Sequence, residues 1–92
     1  MRYWRDKRGH EVDFIWACRG QPPLAIECKW SADGLDPAGL QAFSRQYPNA
    51  ETMVVAQDVD RPYRRNYGNL VVEFLSLPDA VKRVTAAGRT AV

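Results

Sequence analysis

The sequence predicts an α/β fold in which a mixed central β-sheet is flanked by helices, with the element order β-β-β-α-β-β-α. Several short segments alternate apolar and polar residues with a period of two, which is typical of strands. Two other segments carry apolar residues at helical spacing and lie between turn-forming residues. Strands joined through helices favour a mixed sheet covered by helices. The 92 residues suffice for one domain with a thin core, so we expect a single domain over residues 1–92.

The first three elements are predicted strands joined by tight turns. Residues 2–4 begin the first strand, and Gly9 in the following "DKRGH" can take the positive φ of a short hairpin loop. Residues 10–17 form the second predicted strand and residues 24–30 the third, with the turn "RGQPP" between them. Because the chain starts directly on a strand, we expect one face of the sheet to lack cover within this chain.

Alternation assigns the residues of the second and third strands to two faces. The predicted apolar face carries Val12, Phe14, Trp16, Leu24, Ile26 and Cys28, and the opposite face carries Glu11, Asp13, Ile15, Ala25, Glu27 and Lys29. A hairpin centred near Gly20 pairs residues whose numbers sum to 40, which sets Asp13 opposite Glu27 and Glu11 opposite Lys29. Registers shifted by two also match the faces, so the exact partners stay open while the shared face does not.

The first helix is predicted to start at Asp36-Pro37, with Asp36 as the N-cap and Pro37 in the first turn. Leu40, Phe43 and Tyr47 continue it at helical spacing, and the proline that follows ends it.

The second half of the chain is predicted to contain two strands and a helix. We interpret residues 51–57, "ETMVVAQ", as a buried strand, residues 58–68 as a loop, and residues 69–77 as the next strand. The last helix is predicted to start near Pro78, to bury Val81 and Val84, and to stop at Gly88.

The composition excludes few functions but indicates which class of protein this is. The hydrophobic fraction of 46% and the charged fraction of 26% are those of an ordinary globular domain. The net charge of +2 is too weak to indicate nucleic acid or membrane as a partner. Cys18 and Cys28 form no disulfide framework or zinc pattern, which favours buried thiols in a reducing cytoplasm. No apolar run approaches the ~18 residues of a membrane span, and we expect a cytoplasmic protein without a membrane partner.

Two carboxylates are predicted to lie side by side within the sheet. Directly opposed like charges on neighbouring strands repel, so Asp13 against Glu27 gives a purely structural sheet no advantage. A divalent cation such as Mg²⁺, which takes carboxylate oxygens, waters and phosphate, removes the conflict. Lys29 projects from the same face and can neutralise charge on a phosphate or orient a water. The alternative is an ordinary solvated face of an amphipathic sheet.

The segments "EVDF" and "IECK" resemble the PD-(D/E)XK nuclease-like superfamily, whose pattern is an acid in one strand followed by acid-any-Lys in the next. The longer string "YWRDKRGHEVDFI…LAIECKWS" is similar to the C-terminal domain of unknown function of prokaryotic AAA-type ATPases. The second resemblance covers residues 3–57 well. It suggests that the chain is a C-terminal piece of a longer ATPase-type protein.

The resemblance implies a restriction-endonuclease-like fold and Mg²⁺- or Mn²⁺-dependent hydrolysis of DNA phosphodiester bonds. Asp13 and Glu27 would be metal ligands and Lys29 the catalytic lysine. The backbone carbonyl of Cys28 would be a further ligand, and Gln41 and Glu11 are candidate accessory residues. The chain departs from the pattern in two ways: Val12 replaces the superfamily's proline, and the first core helix is absent. No GxxxxGK[ST] motif for ATP occurs.

The segment "DRPYRRNYG" is a second candidate site. It combines the basic Arg61, Arg64 and Arg65 with the aromatic Tyr63, residue types that pair with phosphates and stack on bases. The alternative is a solvated loop between two strands.

Three functional hypotheses therefore stand. The first is a divalent-metal-dependent nuclease-like domain acting on DNA. The second is a catalytically inactive accessory module that binds nucleic acid or the ATPase domain of its parent protein. The third is a fragment that completes its fold as a homodimer.

Overall fold

The computed structural model describes residues 2–17 and 19–86 and forms a six-stranded mixed sheet with two α-helices. The elements are β1 (Arg2–Arg5), β2 (Glu11–Trp16), β3 (Leu24–Lys29), a 3-10 turn (Ala32–Gly34), α1 (Ala38–Gln46), β4 (Glu51–Ala56), β5 (Tyr63–Tyr67), β6 (Leu70–Leu75) and α2 (Leu77–Ala86). The predicted mixed α/β architecture is confirmed, with one more strand than expected.

The strands lie in the order β1-β2-β3-β4-β6-β5. β3 pairs in parallel with β4, and β4 in parallel with β6, whereas the remaining neighbours are antiparallel. Parallel neighbours require a crossover connection, and α1 supplies it between β3 and β4. The three parallel strands therefore end at the same edge of the sheet.

The start of α1 lies close to its predicted position. The Asp36 carboxylate accepts a hydrogen bond of 3.0 Å from the backbone N–H of Ala38, while Pro37 occupies the N-cap position. The helix ends at Gln46, just before Tyr47, whose backbone N–H still bonds to the Phe43 carbonyl.

The prediction that residues 58–68 form a loop is wrong for its second half. Tyr63–Tyr67 is the strand β5, which pairs with β6 from Tyr63↔Phe74 to Tyr67↔Leu70. Gly68, with a φ of 64°, lies in the tight turn between them. β5 is an edge strand whose residues are all exposed or half-buried, so it forms through backbone pairing and needs little apolar sequence.

Each α-helix covers one face of the sheet. Leu40 and Phe43 of α1 belong to one buried cluster, in which they pack with Ala25, Val54 and other residues. Trp4, at the β1 edge, packs edge-on against Phe43 with ring centroids 5.2 Å apart. Fully burying side chains of this size stabilises the fold by roughly 1.5–3 kcal/mol each.

The α2 helix covers the opposite face. Ala80 and Val84, four residues apart, are buried in a second cluster with Leu24, Ile26 and Met53. The prediction that Val81 is buried is wrong, because the inward positions of α2 are those of Ala80 and Val84 and Val81 lies on the outer side, 58% exposed. The predicted helix end at Gly88 lies outside the described residues.

A β-bulge breaks the predicted alternation of β2. One residue of β1, Tyr3, opposes two residues of β2, Asp13 and Phe14. Because of this extra residue, Val12 and Ile15, three apart in sequence, both pack against the cluster on the α1 face. The prediction that Val12 shares a face with Phe14 is therefore wrong.

The predicted β2–β3 register is confirmed where the two strands pair. The pairs are Phe14↔Ile26, Ile15↔Ala25 and Trp16↔Leu24, whose numbers each sum to 40. The ladder stops at Phe14, so the predicted pairs Val12–Cys28 and Glu11–Lys29 do not form. The bulge therefore marks the point at which the two strands separate.

The described part of the chain contains no helix long and apolar enough to cross a bilayer. Cys28 is exposed, so the prediction of a buried thiol is wrong for this residue, because its side chain lies near the open end of β3. Cys18 lies outside the described residues.

Candidate functional site

Two carboxylates bridge β2 and β3 where the ladder ends. The backbone N–H of Asp13 donates to Oε1 of Glu27 at 3.3 Å, and the backbone N–H of Cys28 donates to Oδ2 of Asp13 at 3.0 Å. Each carboxylate thus replaces a carbonyl acceptor that a continuous ladder would have supplied. The bulge therefore brings the two predicted metal ligands into direct contact with each other's strand.

The Glu27 carboxylate is buried in this position. Its desolvation, together with repulsion from Asp13, raises the pKa of Glu27 to about 7. The hydrogen bond from the Asp13 backbone and the ammonium of Lys29 act in the opposite direction but are weaker. The ionised form of Glu27 is therefore only partly compensated by its neighbours.

Lys29 lies two residues beyond Glu27 on the same face of β3. Its Nζ is 3.9 Å from Oε2 of Glu27, and its side chain is about one-third exposed. The Lys29 ammonium group thus stands beside the Glu27 carboxylate, and it remains accessible to a ligand.

The three predicted catalytic residues line one cavity of about 240 Å³. Glu11, the predicted accessory residue, also lines it. The remaining walls come from the β1–β2 turn and the start of α1, namely Gly9, His10, Asp36, Ala38 and Gly39. His10 is held there by its Nδ1, which lies 2.8 Å from Oδ2 of Asp6.

Gly39 fixes how closely α1 approaches this cavity. A Cβ placed on Gly39 would lie 2.1 Å from the carbonyl oxygen of Glu11, far inside van der Waals contact. Only glycine permits this approach, so the wall that α1 contributes depends on Gly39. Sequence reasoning did not single out this residue, although a glycine in the first turn of a helix is a signal of close packing.

The side chains of Gln41, the other predicted accessory residue, and of Cys28, whose backbone carbonyl is a predicted metal ligand, lie elsewhere. Nε2 of Gln41 donates to the carbonyl of Tyr67 at 3.4 Å, and Gln41 lines a different cavity next to the β5–β6 turn. Cys28 lines a separate cavity on the other side of Lys29. Neither side chain joins the carboxylates.

The predicted nucleic-acid segment lies at the far edge of the sheet, on and before β5. Tyr63 stacks on Phe74 with centroids 4.9 Å apart, and the Arg65 guanidinium lies over the Tyr63 ring at 5.4 Å. Arg65 also approaches Asp33 at 3.8 Å. Tyr63 and Arg65 thus have structural partners, whereas the two other basic residues, Arg61 and Arg64, are exposed. A role of this segment in nucleic-acid binding stays a prediction.

The donor chemistry at the cavity fits Mg²⁺ or Mn²⁺. Asp13 and Glu27 offer the hard oxygen atoms that Mg²⁺ prefers, and Mg²⁺ is commonly held by one or two carboxylates and several waters. Each carboxylate keeps acceptor capacity beyond the one backbone N–H that it receives. In the described part of the chain, no group of three or more His, Cys, Asp or Glu side chains is arranged for a metal.

Comparison with known proteins gives one family. A family model described as "Domain of unknown function (DUF4143)" matches residues 1–78, which include all six strands, α1 and every residue of the candidate cavity. No curated protein and no solved structure gives a significant match. The match confirms the resemblance to a domain of unknown function and gives no support to the nuclease superfamily. The chain therefore belongs to the DUF4143 family.

Proposed function

We propose that this domain is a divalent-metal-dependent nuclease-like module that hydrolyses DNA phosphodiester bonds in the cavity lined by Asp13, Glu27 and Lys29. The observation that carries the proposal is the convergence of two carboxylates and one ammonium group on a single cavity, with the charge of Glu27 poorly compensated. These residue types also match the pattern of the superfamily that the sequence resembles, with its restriction-endonuclease-like fold.

In this proposal Asp13 and Glu27 hold Mg²⁺ or Mn²⁺, with the Cys28 backbone carbonyl as a further ligand. A bound cation would polarise the phosphate and lower the pKa of a bound water. The Lys29 ammonium stabilises the negative charge that grows on the phosphate or orients the attacking water. The hydrogen bond from Cys28 keeps the Asp13 carboxylate in place.

A second candidate function is a catalytically inactive accessory module of an AAA-type ATPase, which binds nucleic acid or the ATPase domain. The favouring observation is that Asp13 and Glu27 already accept backbone hydrogen bonds that close the gap between β2 and β3. In this alternative, the two carboxylates have a structural role that needs no cation.

Calorimetric titration with Mn²⁺ and a DNA-cleavage assay with Mg²⁺ or Mn²⁺ distinguish the two. We expect Glu27→Gln to abolish cation binding and cleavage. Lys29→Ala should retain cation binding but cleave about 100-fold more slowly or worse, the loss that follows removal of one electrostatic stabiliser. Glu73→Gln is the matched control, because Glu73 is also a glutamate within a strand but lies on the other face, and it should cleave like the wild type.

The outcomes separate cleanly when circular dichroism shows each variant to be folded. Wild-type protein that binds no Mn²⁺ and cleaves no DNA would leave the accessory module as the function. Cleavage that persists in both Glu27→Gln and Lys29→Ala would also overturn the proposed site.

A further inference from the structure

A second cavity adjoins the candidate site through Lys29. It has a volume of about 560 Å³ and lies where the parallel strands β3, β4 and β6 end and α2 begins. Lys29 borders both this cavity and the smaller one that holds the carboxylates. In sheets with parallel strands, ligands commonly bind at the carboxyl ends of the strands.

The second cavity presents an unusually exposed aromatic ring. Trp30, the residue after Lys29, is 80% exposed, and Leu77 on the opposite wall is 65% exposed. Among the described residues, Trp30 takes part in no ring–ring contact, whereas Trp4 packs against Phe43. The polar side chains of Gln57 and Ser76 also line the cavity. A flat ring, apolar walls and a few hydrogen-bonding groups suit a planar heteroaromatic ligand.

We propose that this cavity is a subsite for an unpaired nucleobase, which stacks on Trp30 while the adjoining phosphate lies at Lys29. The inference rests on the proposed function for the position of the phosphate, and it deepens that function by naming the substrate class. A base within a duplex is paired and stacked on its neighbours, so it cannot lie on Trp30. The substrate is therefore a single-stranded or locally unpaired DNA strand.

The position of Lys29 favours a nucleic acid over an apolar peptide as the occupant. A DNA strand has a repeating anionic phosphate next to each flat base, and the two cavities offer an ammonium group and an exposed indole on the consecutive residues Lys29 and Trp30. Stacking platforms beside basic groups are the usual device for binding single strands without strong sequence preference. An apolar peptide would use the indole and Leu77 but would bring no anionic group to the Lys29 ammonium, whose contact with Glu27 spans 3.9 Å.

Fluorescence anisotropy of a short labelled oligothymidylate in metal-free buffer, in which the proposed hydrolysis cannot proceed, tests the inference against a duplex of the same length. We expect the single strand to bind at least about 10-fold more tightly than the duplex. Trp30→Ala should weaken single-strand binding by about 10-fold or more, the typical effect of losing one base–aromatic stack, while Trp30→Phe retains most of it. Leu77→Ala should weaken binding, and Val81→Ala, exposed on the same helix but outside the cavity, should not.

Failure of this inference and failure of the proposed function are distinguishable. Equal binding of single strand and duplex, or binding unchanged by Trp30→Ala, would overturn the subsite even if Glu27-dependent Mn²⁺ binding is intact. Trp30-dependent binding of the single strand by a protein that cleaves nothing would support the subsite and overturn the nuclease. A change in light-scattering mass upon Trp30→Ala, with DNA binding unaffected, would identify an interface between copies and also overturn it.

Discussion

Two glutamates within strands of the same sheet, Glu27 and Glu73, have very different electrostatic surroundings. They lie on β3 and β6, the two neighbours of β4, and point to opposite faces. Their side chains are similarly buried, 10% and 16% exposed. Both carboxylate oxygens of Glu73 accept hydrogen bonds from the Arg83 guanidinium of α2. Glu27 instead faces a second carboxylate and an ammonium group 3.9 Å away.

The difference shows that a charged residue inside a strand is not by itself a sign of function. A buried carboxylate whose two oxygens both accept hydrogen bonds from an arginine is electrostatically complete and needs no ligand. A buried carboxylate beside another carboxylate pays a desolvation cost without full compensation, and such groups concentrate at functional sites. The two glutamates carry the same charge and differ in the group that compensates it.

The largest expected effect concerns the pH dependence of stability. Because the pKa of Glu27 is raised from 4.5 to about 7 in the folded protein, the folded state holds a proton that the unfolded state releases in this interval. The free energy of unfolding in metal-free buffer should therefore fall as the pH rises from 4.5 to 7, by about 3 kcal/mol at most. Urea denaturation of wild type and Glu27→Gln measures it, and Glu27→Gln should lose this fall.

Equal pH slopes for wild type and Glu27→Gln would mean that Glu27 is compensated as fully as Glu73. Glu73→Gln is the matched control, and it should keep the wild-type fall over the same interval. Added Mn²⁺ should reduce the fall in the wild type and in Glu73→Gln, which both keep Glu27, since a cation stabilises the ionised carboxylate.

The next effect concerns the wall of the Glu27 cavity. Gly39→Ala places a Cβ against the backbone carbonyl of Glu11, which cannot move without shifting β2. We expect a loss of about 2 kcal/mol of stability, as for other overpacked positions, measured by thermal denaturation. Gly34→Ala is the matched control: its φ is not positive and its Cβ would meet no atom within 4 Å, so stability should change by less than about 1 kcal/mol. Equal stability of the two variants would contradict the close approach.

The smallest effect concerns the Glu73 pair. Arg83→Ala leaves a mostly buried carboxylate without its partner, but Arg83 itself is 45% exposed. Solvent screening therefore limits the expected loss to about 1 kcal/mol. Lys82→Ala, the exposed neighbour on α2, should change the free energy of unfolding by less than about 0.5 kcal/mol. A loss no larger for Arg83→Ala than for Lys82→Ala would remove the contrast between the glutamates.

The pairing of β2 with β3 could be predicted because burial imposes a strong alternation of apolar residues on these strands. The pairs from Phe14↔Ile26 to Trp16↔Leu24 follow from the apolar alternation of two strands that are partly buried. The β-bulge at Asp13 and Phe14 could not be predicted, since "EVDFIW" reads as regular alternation and the extra residue depends on pairing with β1. The same bulge moved Val12 to the other face.

The edge of the sheet was harder to predict for the opposite reason. β5 lies at an edge and has no fully buried residue, so its arginines and tyrosines look like a loop in the sequence. A period of two is present in Tyr63, Arg65 and Tyr67. It extends over only five residues, which is a weak strand signal beside the turn-forming residues Asp60, Pro62 and Gly68. For the site, the sequence predicted the grouping of Asp13, Glu27 and Lys29 in one cavity, whereas Gln41 was misplaced because its amide reaches the β5–β6 turn.

The exposure of Trp30 also has an optical consequence. Trp4 packs against Phe43, and Trp16 packs against the buried cluster on the α2 face. The Trp30 indole is instead exposed to solvent, one residue from Lys29. A collisional quencher such as iodide should therefore extinguish the long-wavelength, solvent-relaxed part of the intrinsic emission first. The native protein thus carries its own spectroscopic reporter beside the candidate site, with no dye attached.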